Sequence, residues 1–181
     1  MIEFETKRLI LRKFRREDKV DLFDIFSDEQ TTLDDGGFHA FSKMDEEYEK
    51  LMEKFETQDR YSIVEKETNY VVGTINLRED DRAVKTYELG YAISPKRRRK
   101  GYAYESVSSL IKVMFEQTDV QMFAVGHFPQ NEASKALIEK LGFVYEGIDH
   151  KALFHEVYGP TDLICYYMDK PCDPTSNVAD D

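Results

Sequence analysis

The apolar positions of the chain follow two periods, one typical of strands and one typical of helices. Runs rich in alternating, β-branched or aromatic residues predict seven strands, at 7–14, 61–65, 70–78, 86–93, 121–128, 143–147 and 162–168. Apolar residues at helical spacing predict four helices, at 17–28, 42–55, around 107–114 and at 131–141. The predicted order is β-α-α-β-β-β-α-β-α-β-β, an α/β (α+β) arrangement in which three consecutive strands form an antiparallel meander.

Several residues at the ends of these elements predict where helices start and stop. Ser42 is the expected N-cap of the second helix, with Asp45 at the position of the capping box. Asn131 is a suitable N-cap and Gly142 a natural stop for the last helix. Two connections are long: 31–41, with a glycine pair, and the aromatic 153–160. Long connections often line or cover a site.

Composition and charge narrow the functional class. The chain has 181 residues, a net charge of -11 and a pI near 4.9, which argues against binding to nucleic acid or to an anionic membrane. It contains no apolar run long enough for a membrane span and no signal peptide, so we expect a cytoplasmic protein. The two cysteines have no metal-ligand spacing, and no metal is expected. We predict one domain over 1–170, a disordered acidic tail over 171–181, and a monomer or homodimer.

A basic run interrupts this acidic chain. Residues 94–103 read SPKRRRKGYA and join a predicted strand to a predicted helix. The start of a helix presents free backbone N–H groups and favours an anion, and Gly101 allows close approach of a ligand to the backbone. The patterns of nucleoside-triphosphate and dinucleotide loops are absent. The run therefore predicts a different phosphate-bearing ligand, the alternative being a solvated stretch of charge.

The segment RRKGYA resembles the Q/R-x-x-G-x-G/A coenzyme A signature of the GCN5-related N-acetyltransferase (GNAT) superfamily. YELGYAISP before it and NEASKALIEKLGFVYEG after it are similar to the flanking strand and the asparagine helix of that family. The opening ETKRLILRKFRRED is similar to the branch that acetylates the N-termini of ribosomal proteins, so the resemblance spans Glu5 to Met168. It implies a mixed, partly splayed sheet and an enzyme that moves an acetyl group from acetyl-coenzyme A directly to a primary amine.

The resemblance also implies which residues hold the cofactor. The pyrophosphate is expected on the backbone of the basic loop, and the pantetheine near the end of the preceding strand and the start of the asparagine helix. The expected residues are Ile93, Arg98, Arg99, Lys100, Gly101, Tyr102, Ala103, Asn131 and Ser134. For Asn131, a helix N-cap explains the residue without any ligand, and both interpretations can hold together.

Acetyl transfer needs a base for the amine and an acid for the departing thiolate. The resemblance makes Glu88 the expected base, although a solvated or ion-paired strand residue is the alternative. Ser134 matches the serine of the ribosomal-protein branch and is the expected acid, with an ordinary polar residue in the first helical turn as the alternative. Tyr158 is a second candidate, with a packing role as its alternative. The chain departs from relatives at two positions, with Ile138 in place of a common tyrosine and Leu153 in place of a carboxylate. His155 and Glu156 are therefore reserve candidates for the base.

The sequence contains few signals for the molecule that accepts the acetyl group. An α-amine of pKa near 7.8 is easier to neutralise at pH 7 than a lysine of pKa about 10.4, which favours a protein or peptide N-terminus. The acidic stretch LDDGG could instead attract a polyamine or an aminoglycoside. The connection 153–160 is expected to border the acceptor groove, with a simple surface hairpin as the alternative. A coenzyme A-binding interaction module without catalysis is a further possibility.

Overall fold

A computed structural model describes residues 2–171. Residues 172–181, which include nearly all of the predicted acidic tail, lie outside the described residues. None of the described helices is long and apolar enough to cross a membrane.

The described chain forms one eight-stranded sheet with helices on both faces. The elements run in this order: β1 (Phe4–Glu5), β2 (Leu9–Lys13), α1 (Lys19–Phe26), α2 (Glu29–Gly36), α3 (Glu46–Thr57), β3 (Asp59–Glu65), β4 (Tyr70–Asp80), β5 (Thr86–Ile93), α4 (Tyr102–Gln117), β6 (Met122–His127), α5 (Glu132–Leu141), β7 (Val144–His155) and β8 (Gly159–Asp169). The strand order in the sheet is β1-β2-β3-β4-β5-β6-β8-β7. The mixed α/β architecture predicted from the sequence is confirmed, with one more strand and one more helix than expected.

The extra helix, α2, occupies part of the predicted connection 31–41. The Asp28 carboxylate accepts a hydrogen bond from the Thr31 amide at 2.9 Å and caps its start, and Gly37 ends it in the left-handed conformation (φ 71°). Its buried side chains include Thr31 and Thr32, which do not form an apolar stripe. The prediction of a loop here was wrong because capping residues, rather than hydrophobic periodicity, define the helix.

Two other boundaries differ from the predictions. Asp45, not Ser42, is the N-cap of α3, since its carboxylate accepts hydrogen bonds from the amides of Glu47 and Tyr48. The predicted connection 153–160 is mostly strand, because β7 and β8 pair up to His155 and Gly159 and leave only a tight turn. The predicted ends of α5 are confirmed: Asn131 caps its start and Gly142 (φ 90°) its end.

Two clusters of buried apolar side chains flank the sheet. The larger one packs α4 and α5 against one face and includes Leu110, Phe123 and Ile138. The smaller one packs α1 and α3 against the opposite face and includes Leu22 and Tyr48.

The sheet opens in its middle. All neighbouring strands are antiparallel except β5 and β6, which run parallel and pair only from Thr86–Met122 to Glu88–Ala124. Beyond that point β5 continues to Ile93 and β6 to His127 without pairing. The two strands therefore separate and leave a gap, which confirms the splayed sheet.

Candidate active site

The basic loop turns sharply between β5 and α4. Arg99 and Gly101 both adopt left-handed backbone conformations, with φ values of 61° and 80°. Arg8 fixes the turn by donating a hydrogen bond to the carbonyl of Lys100 at 2.9 Å and by pairing with Glu105 in the first turn of α4. The first turn of any α-helix has amides without an intrahelical acceptor, and here they follow directly after Gly101. This geometry suits a phosphate group at the start of α4.

A groove of about 410 Å³, which we call the main groove, runs from this loop to the start of α5. Its lining includes nearly all the residues predicted to hold the cofactor, namely Ile93, Arg98, Arg99, Gly101, Tyr102, Ala103, Asn131 and Ser134. Lys100 does not line it, and its ammonium lies 5.8 Å from the centre of the Tyr102 ring. Sequence reasoning thus selected residues that the fold brings together, apart from the side chain of Lys100.

Two side chains of the basic loop and the start of α4 have protein partners. Arg98 donates a hydrogen bond to the hydroxyl of Thr31 at 2.6 Å and so ties the basic loop to α2. The Tyr102 side chain is buried, and its hydroxyl donates to the carboxylate of Glu65. That hydrogen bond, with burial, raises the pKa of Tyr102. Tyr102 can therefore serve a ligand through its backbone rather than through its hydroxyl.

Asn131 is buried and has both side-chain polar atoms engaged. Its oxygen accepts a hydrogen bond from the Ser134 amide at 2.9 Å, as expected for an N-cap. Its nitrogen donates to the carbonyl of Asp34 at 3.0 Å and to the carboxylate of Asp35 at 3.2 Å. Asn131 therefore locks the end of α2 against the start of α5, a role that the sequence did not reveal.

Ser134 meets a second hydroxyl across the gap in the sheet. The Tyr91 hydroxyl lies 2.9 Å from the Ser134 hydroxyl, and either group can donate. Burial raises the pKa of Tyr91 to about 12, so it stays protonated at neutral pH. Two proton donors thus stand together in the main groove, of which sequence reasoning identified only Ser134.

Glu88 lies where β5 and β6 begin to separate. It lines a cavity of about 190 Å³, which we call the strand-gap cavity and which Gly90, Asn131, Ser134 and Leu153 also border. Its carboxylate forms an ion pair with Arg78 on β4. Glu88 is thus near the predicted reaction centre, and it also has the ion-pair partner of the alternative interpretation.

Tyr158 and its neighbours stand apart from this cleft. Tyr158 is 64% exposed, stacks on His155 and lines none of the cavities described here. His155 is fully buried and accepts a hydrogen bond from the Val157 amide at 3.1 Å. Glu156 accepts one from the His39 amide at 2.6 Å. The turn between β7 and β8 therefore braces the segment after α2, and only Leu153 of the predicted connection reaches the strand-gap cavity.

Asp35, at the end of α2, occupies the most central position. It lines the main groove, the strand-gap cavity and a third cavity on the side of α3, and among the described residues only Tyr91 also lines all three. Asp35 is exposed to solvent as a residue, yet protein atoms on several sides surround its carboxylate; the resulting loss of hydration raises its pKa to about 7. Arg98 and Asn131 act in the opposite direction, and Asp34 adds to the increase. Sequence reasoning noted only the acidity of this stretch.

Comparisons with known proteins identify the family of the chain. The model of the acetyltransferase (GNAT) domain matches residues 8–144. The chain belongs to the GNAT family. It is an N-acetyltransferase that uses acetyl-coenzyme A, as the sequence predicted.

Relatives cover nearly the whole chain. The uncharacterized N-acetyltransferase YoaA of Bacillus subtilis is 28% identical over 176 residues, which are 92% of this chain and 96% of YoaA. The prophage-derived uncharacterized N-acetyltransferase YokL of the same organism is 32% identical over 165 residues, 90% of each chain.

Solved structures of several GNAT enzymes share the fold. A GNAT acetyltransferase from Bacillus anthracis has a TM-score of 0.82 at 24% identity, covering 93% of this chain and 99% of that one. A ribosomal-protein-S5-alanine acetyltransferase from Vibrio fischeri has a TM-score of 0.70 at 21% identity, covering 94% and 97%. A spermidine N-acetyltransferase from Vibrio cholerae has a TM-score of 0.74 at 18% identity, covering 91% and 97%. At these identities the likeness extends to the fold alone, and the acceptors named for two of these enzymes differ.

Proposed function

We propose that this enzyme transfers the acetyl group directly to the α-amine of a protein or peptide, with both substrates bound at once. The supporting observation is the position of Asp35 and Tyr91 where the main groove meets the two smaller cavities. An acceptor entering from a smaller cavity would meet a carboxylate, and a donor in the main groove would meet two hydroxyls. Direct transfer, without a covalent enzyme intermediate, requires the amine of the acceptor and the thioester of the donor to meet at one point.

On the donor side, the basic loop is proposed to bind the pyrophosphate through the backbone from Arg98 to Ala103. Arg98 and Arg99 add positive charge to the same groove. Acetyl-coenzyme A supplies the reactive thioester, which we place beside Ser134 and Tyr91. Because acetyl-coenzyme A is a metabolite of the cell interior, we also propose a cytoplasmic location.

On the acceptor side, the amine must lose a proton before or during its attack on the thioester carbonyl. Neutralising an α-amine at pH 7 costs about 1 kcal/mol, against about 4.6 kcal/mol for a lysine. We propose Asp35 as the group that takes this proton, because a base with a pKa near the working pH is the most effective. Glu88, the base predicted from sequence, is the competing candidate. It is the less suitable candidate because its carboxylate is paired with Arg78.

The departing thiolate must gain a proton as the carbon–sulfur bond breaks. Ser134 is the proposed donor, and Tyr91 can resupply its proton across the 2.9 Å contact between their hydroxyls. Tyr158 is the less suitable candidate, because it is 64% exposed and lines none of these cavities.

The test is to locate the acetyl group on a peptide that carries both a free α-amine and an internal lysine. Mass spectrometry after incubation with acetyl-coenzyme A is expected to find acetylation at the α-amine. The same peptide with a blocked N-terminus is the matched control and is expected to remain unmodified. Acetylation of the lysine in both peptides, or of spermidine but neither peptide, would contradict the proposal.

A further inference from the structure

The third cavity, which we call the arginine cavity, lies on the face of the sheet that α2 and α3 cover. Its volume is about 190 Å³. Phe26, Phe38 and Phe55 form apolar walls, and Arg60 and Asn76 lie on its floor. Asp35 connects it to the main groove. The cavity is small beside sites for drug-sized ligands, which are roughly 300–1,000 Å³, and it suits one amino-acid-sized group.

Arg60 has no anionic partner among the described residues. No carboxylate of residues 2–171 lies within ion-pair distance of it, and its Nε atom is buried without a hydrogen-bond acceptor. Its two other nitrogens make only long contacts, 3.4 Å to the Thr74 hydroxyl and 3.5 Å to the Gln58 side chain. The guanidinium stacks on the Phe55 ring at 3.6 Å, which orients it without neutralising its charge.

An unpaired guanidinium at this position lowers the stability of the fold, so folding by itself gives no reason for it. Arg60 is partly buried, and a charge that loses hydration in this way is ordinarily paired and hydrogen-bonded, because the lost hydration must be replaced. Burial lowers the pKa of Arg60 only to about 10, so the group remains charged at neutral pH. By contrast, Arg12 in the same sheet makes two short hydrogen bonds, of 2.7 and 2.8 Å, to the buried Asp18.

The cavity also contains the side-chain amide of Asn76, which has no hydrogen-bond partner within residues 2–171. Asn76 lies between Arg60 and Gly90 in a row across β3, β4 and β5. Its side chain extends over Gly90, where any Cβ would come within 2.6 Å of the amide oxygen. The glycine thus allows a hydrogen-bonding side chain to lie between Arg60 and the cleft.

We propose that Arg60 and Asn76 bind an oxyanion of the acceptor, a carboxylate or a phosphate, while its α-amine lies at Asp35. This proposal rests on the proposed function and specifies its substrate class. A guanidinium recognises both oxyanions through paired N–H groups. A polyamine would bring further positive charge into a cavity that already contains Arg60, so this site disfavours polycationic acceptors.

The strand spacing indicates where the oxyanion lies in the acceptor. Arg60 is two strands away from β5, which corresponds to about 10 Å at roughly 4.8 Å per strand. An extended peptide advances about 3.3–3.6 Å per residue. Two residues of extended backbone cover about 7 Å, and the side chain of the third residue spans the rest. The preferred acceptor is therefore a peptide with an acidic or phosphorylated side chain about two residues after its free N-terminus.

Calorimetry on the coenzyme A-saturated enzyme tests this directly. Four peptides that differ only at the third residue, with Glu, phosphoserine, Gln or Ser, are compared on the wild type and on Arg60→Gln. The wild type is expected to bind the Glu or the phosphoserine peptide at least about tenfold more tightly than its neutral counterpart, and R60Q to lose that preference. Which of the two binds more tightly identifies the oxyanion. Arg60→Lys is expected to keep part of the preference, because it retains the charge without the paired geometry.

Arg16→Gln is the matched control, since it removes the same charge from an exposed position where Arg16 pairs with Glu49 and Glu56. It is expected to leave the preference intact. Equal affinities in the wild type, undetectable binding of both anionic peptides, or a preference that survives in R60Q would overturn the proposal. Unchanged coenzyme A affinity in R60Q verifies its fold, and if that variant does not fold, the wild-type and Arg60→Lys comparison decides.

The two proposals fail in different ways. If the anionic peptides bind in an Arg60-dependent manner but are not acetylated, the proposed function is wrong and the oxyanion site stands. If peptides are acetylated without regard to the third residue or to Arg60, only the oxyanion site is wrong.

Discussion

Replacement of Asp35 by Asn tests the proposed chemistry through its pH dependence. With a pKa of about 7, Asp35 would be deprotonated in about 9% of molecules at pH 6 and about 91% at pH 8. The turnover number should therefore rise about tenfold over this range. A carboxylate with an ordinary pKa near 3.9 would give almost no change. In Asp35→Asn we expect turnover to fall by about 10²–10⁴-fold and this rise to disappear.

The acceptor must not contribute its own titration to the profile. A peptide with an aminooxy group in place of its α-amine is neutral throughout this range, so the remaining pH dependence belongs to the enzyme. Turnover at saturating concentrations of both substrates is measured by release of the coenzyme A thiol. Asp34→Asn is the matched control: it removes the neighbouring charge that raises the pKa of Asp35, and so should move the rise to lower pH without abolishing it.

A flat profile in the wild type, or a rise that persists in Asp35→Asn, would refute the assignment of Asp35 as the base. In that event the parallel variant Glu88→Gln becomes decisive. A loss of about 10²–10⁴-fold in Glu88→Gln, with coenzyme A binding intact, would return the role to Glu88.

Three further predictions concern other parts of the structure. Ser134→Ala and Tyr91→Phe should each slow acetyl transfer by about tenfold, and the double variant should slow it by more than about 10²-fold. A thioester whose thiol is more acidic should partly restore the rate, because its thiolate needs less protonation. An unchanged rate in the double variant would exclude both hydroxyls as proton donors. Arg98→Gln should weaken coenzyme A binding by about tenfold in calorimetry, and unaltered affinity would speak against the basic loop as the pyrophosphate site. Asp18→Asn should lower the free energy of unfolding in urea at pH 7 by about 3–5 kcal/mol, because it leaves the largely buried Arg12 side chain without its counterion; a loss below about 1 kcal/mol would contradict that reasoning.

The pH dependence of the free energy of unfolding tests the environments of two carboxylates, those of Asp18 and Asp35. Burial acts to raise the pKa of Asp18, but hydrogen bonds from Arg12, Ser62 and the Arg15 amide outweigh it and lower the pKa. The stability that Asp18 contributes is present above the pKa of its unfolded state and is lost as the pH falls below it. For Asp35 the sign is reversed: its contribution is present at low pH and is lost as the pH rises through about 7. Asp35→Asn should therefore unfold at a higher temperature than the wild type at pH 8 but not at pH 4.

The strands and the turn between β5 and α4 could be predicted because their signals are local. Apolar alternation marks β3 to β6, and Gly101, Asn131 and Gly142 each have a conformational role that neighbouring residues reveal. The gap in the sheet followed from the family resemblance, since periodicity alone does not specify which neighbouring strands diverge.

The proposed acceptor side could not be predicted in the same way, because its residues meet only in the folded chain. Asp35 and Arg60 lie on α2 and β3, and nothing in their local sequence indicates that one carboxylate would be crowded or that one guanidinium would lack a partner. The helix that positions Asp35 did leave a signal in Asp28 and Gly37, the residues that cap it. Capping residues at this spacing would have identified α2 despite its polar interior.

A screen of acceptors by thiol release from acetyl-coenzyme A tests the central claim most directly. The set comprises peptides with free α-amines, with and without an acidic third residue, together with polyamines and aminoglycosides. The account predicts turnover of peptide α-amines, fastest for those with the acidic residue. Robust turnover of polyamines or aminoglycosides, with none of any peptide α-amine, would contradict it.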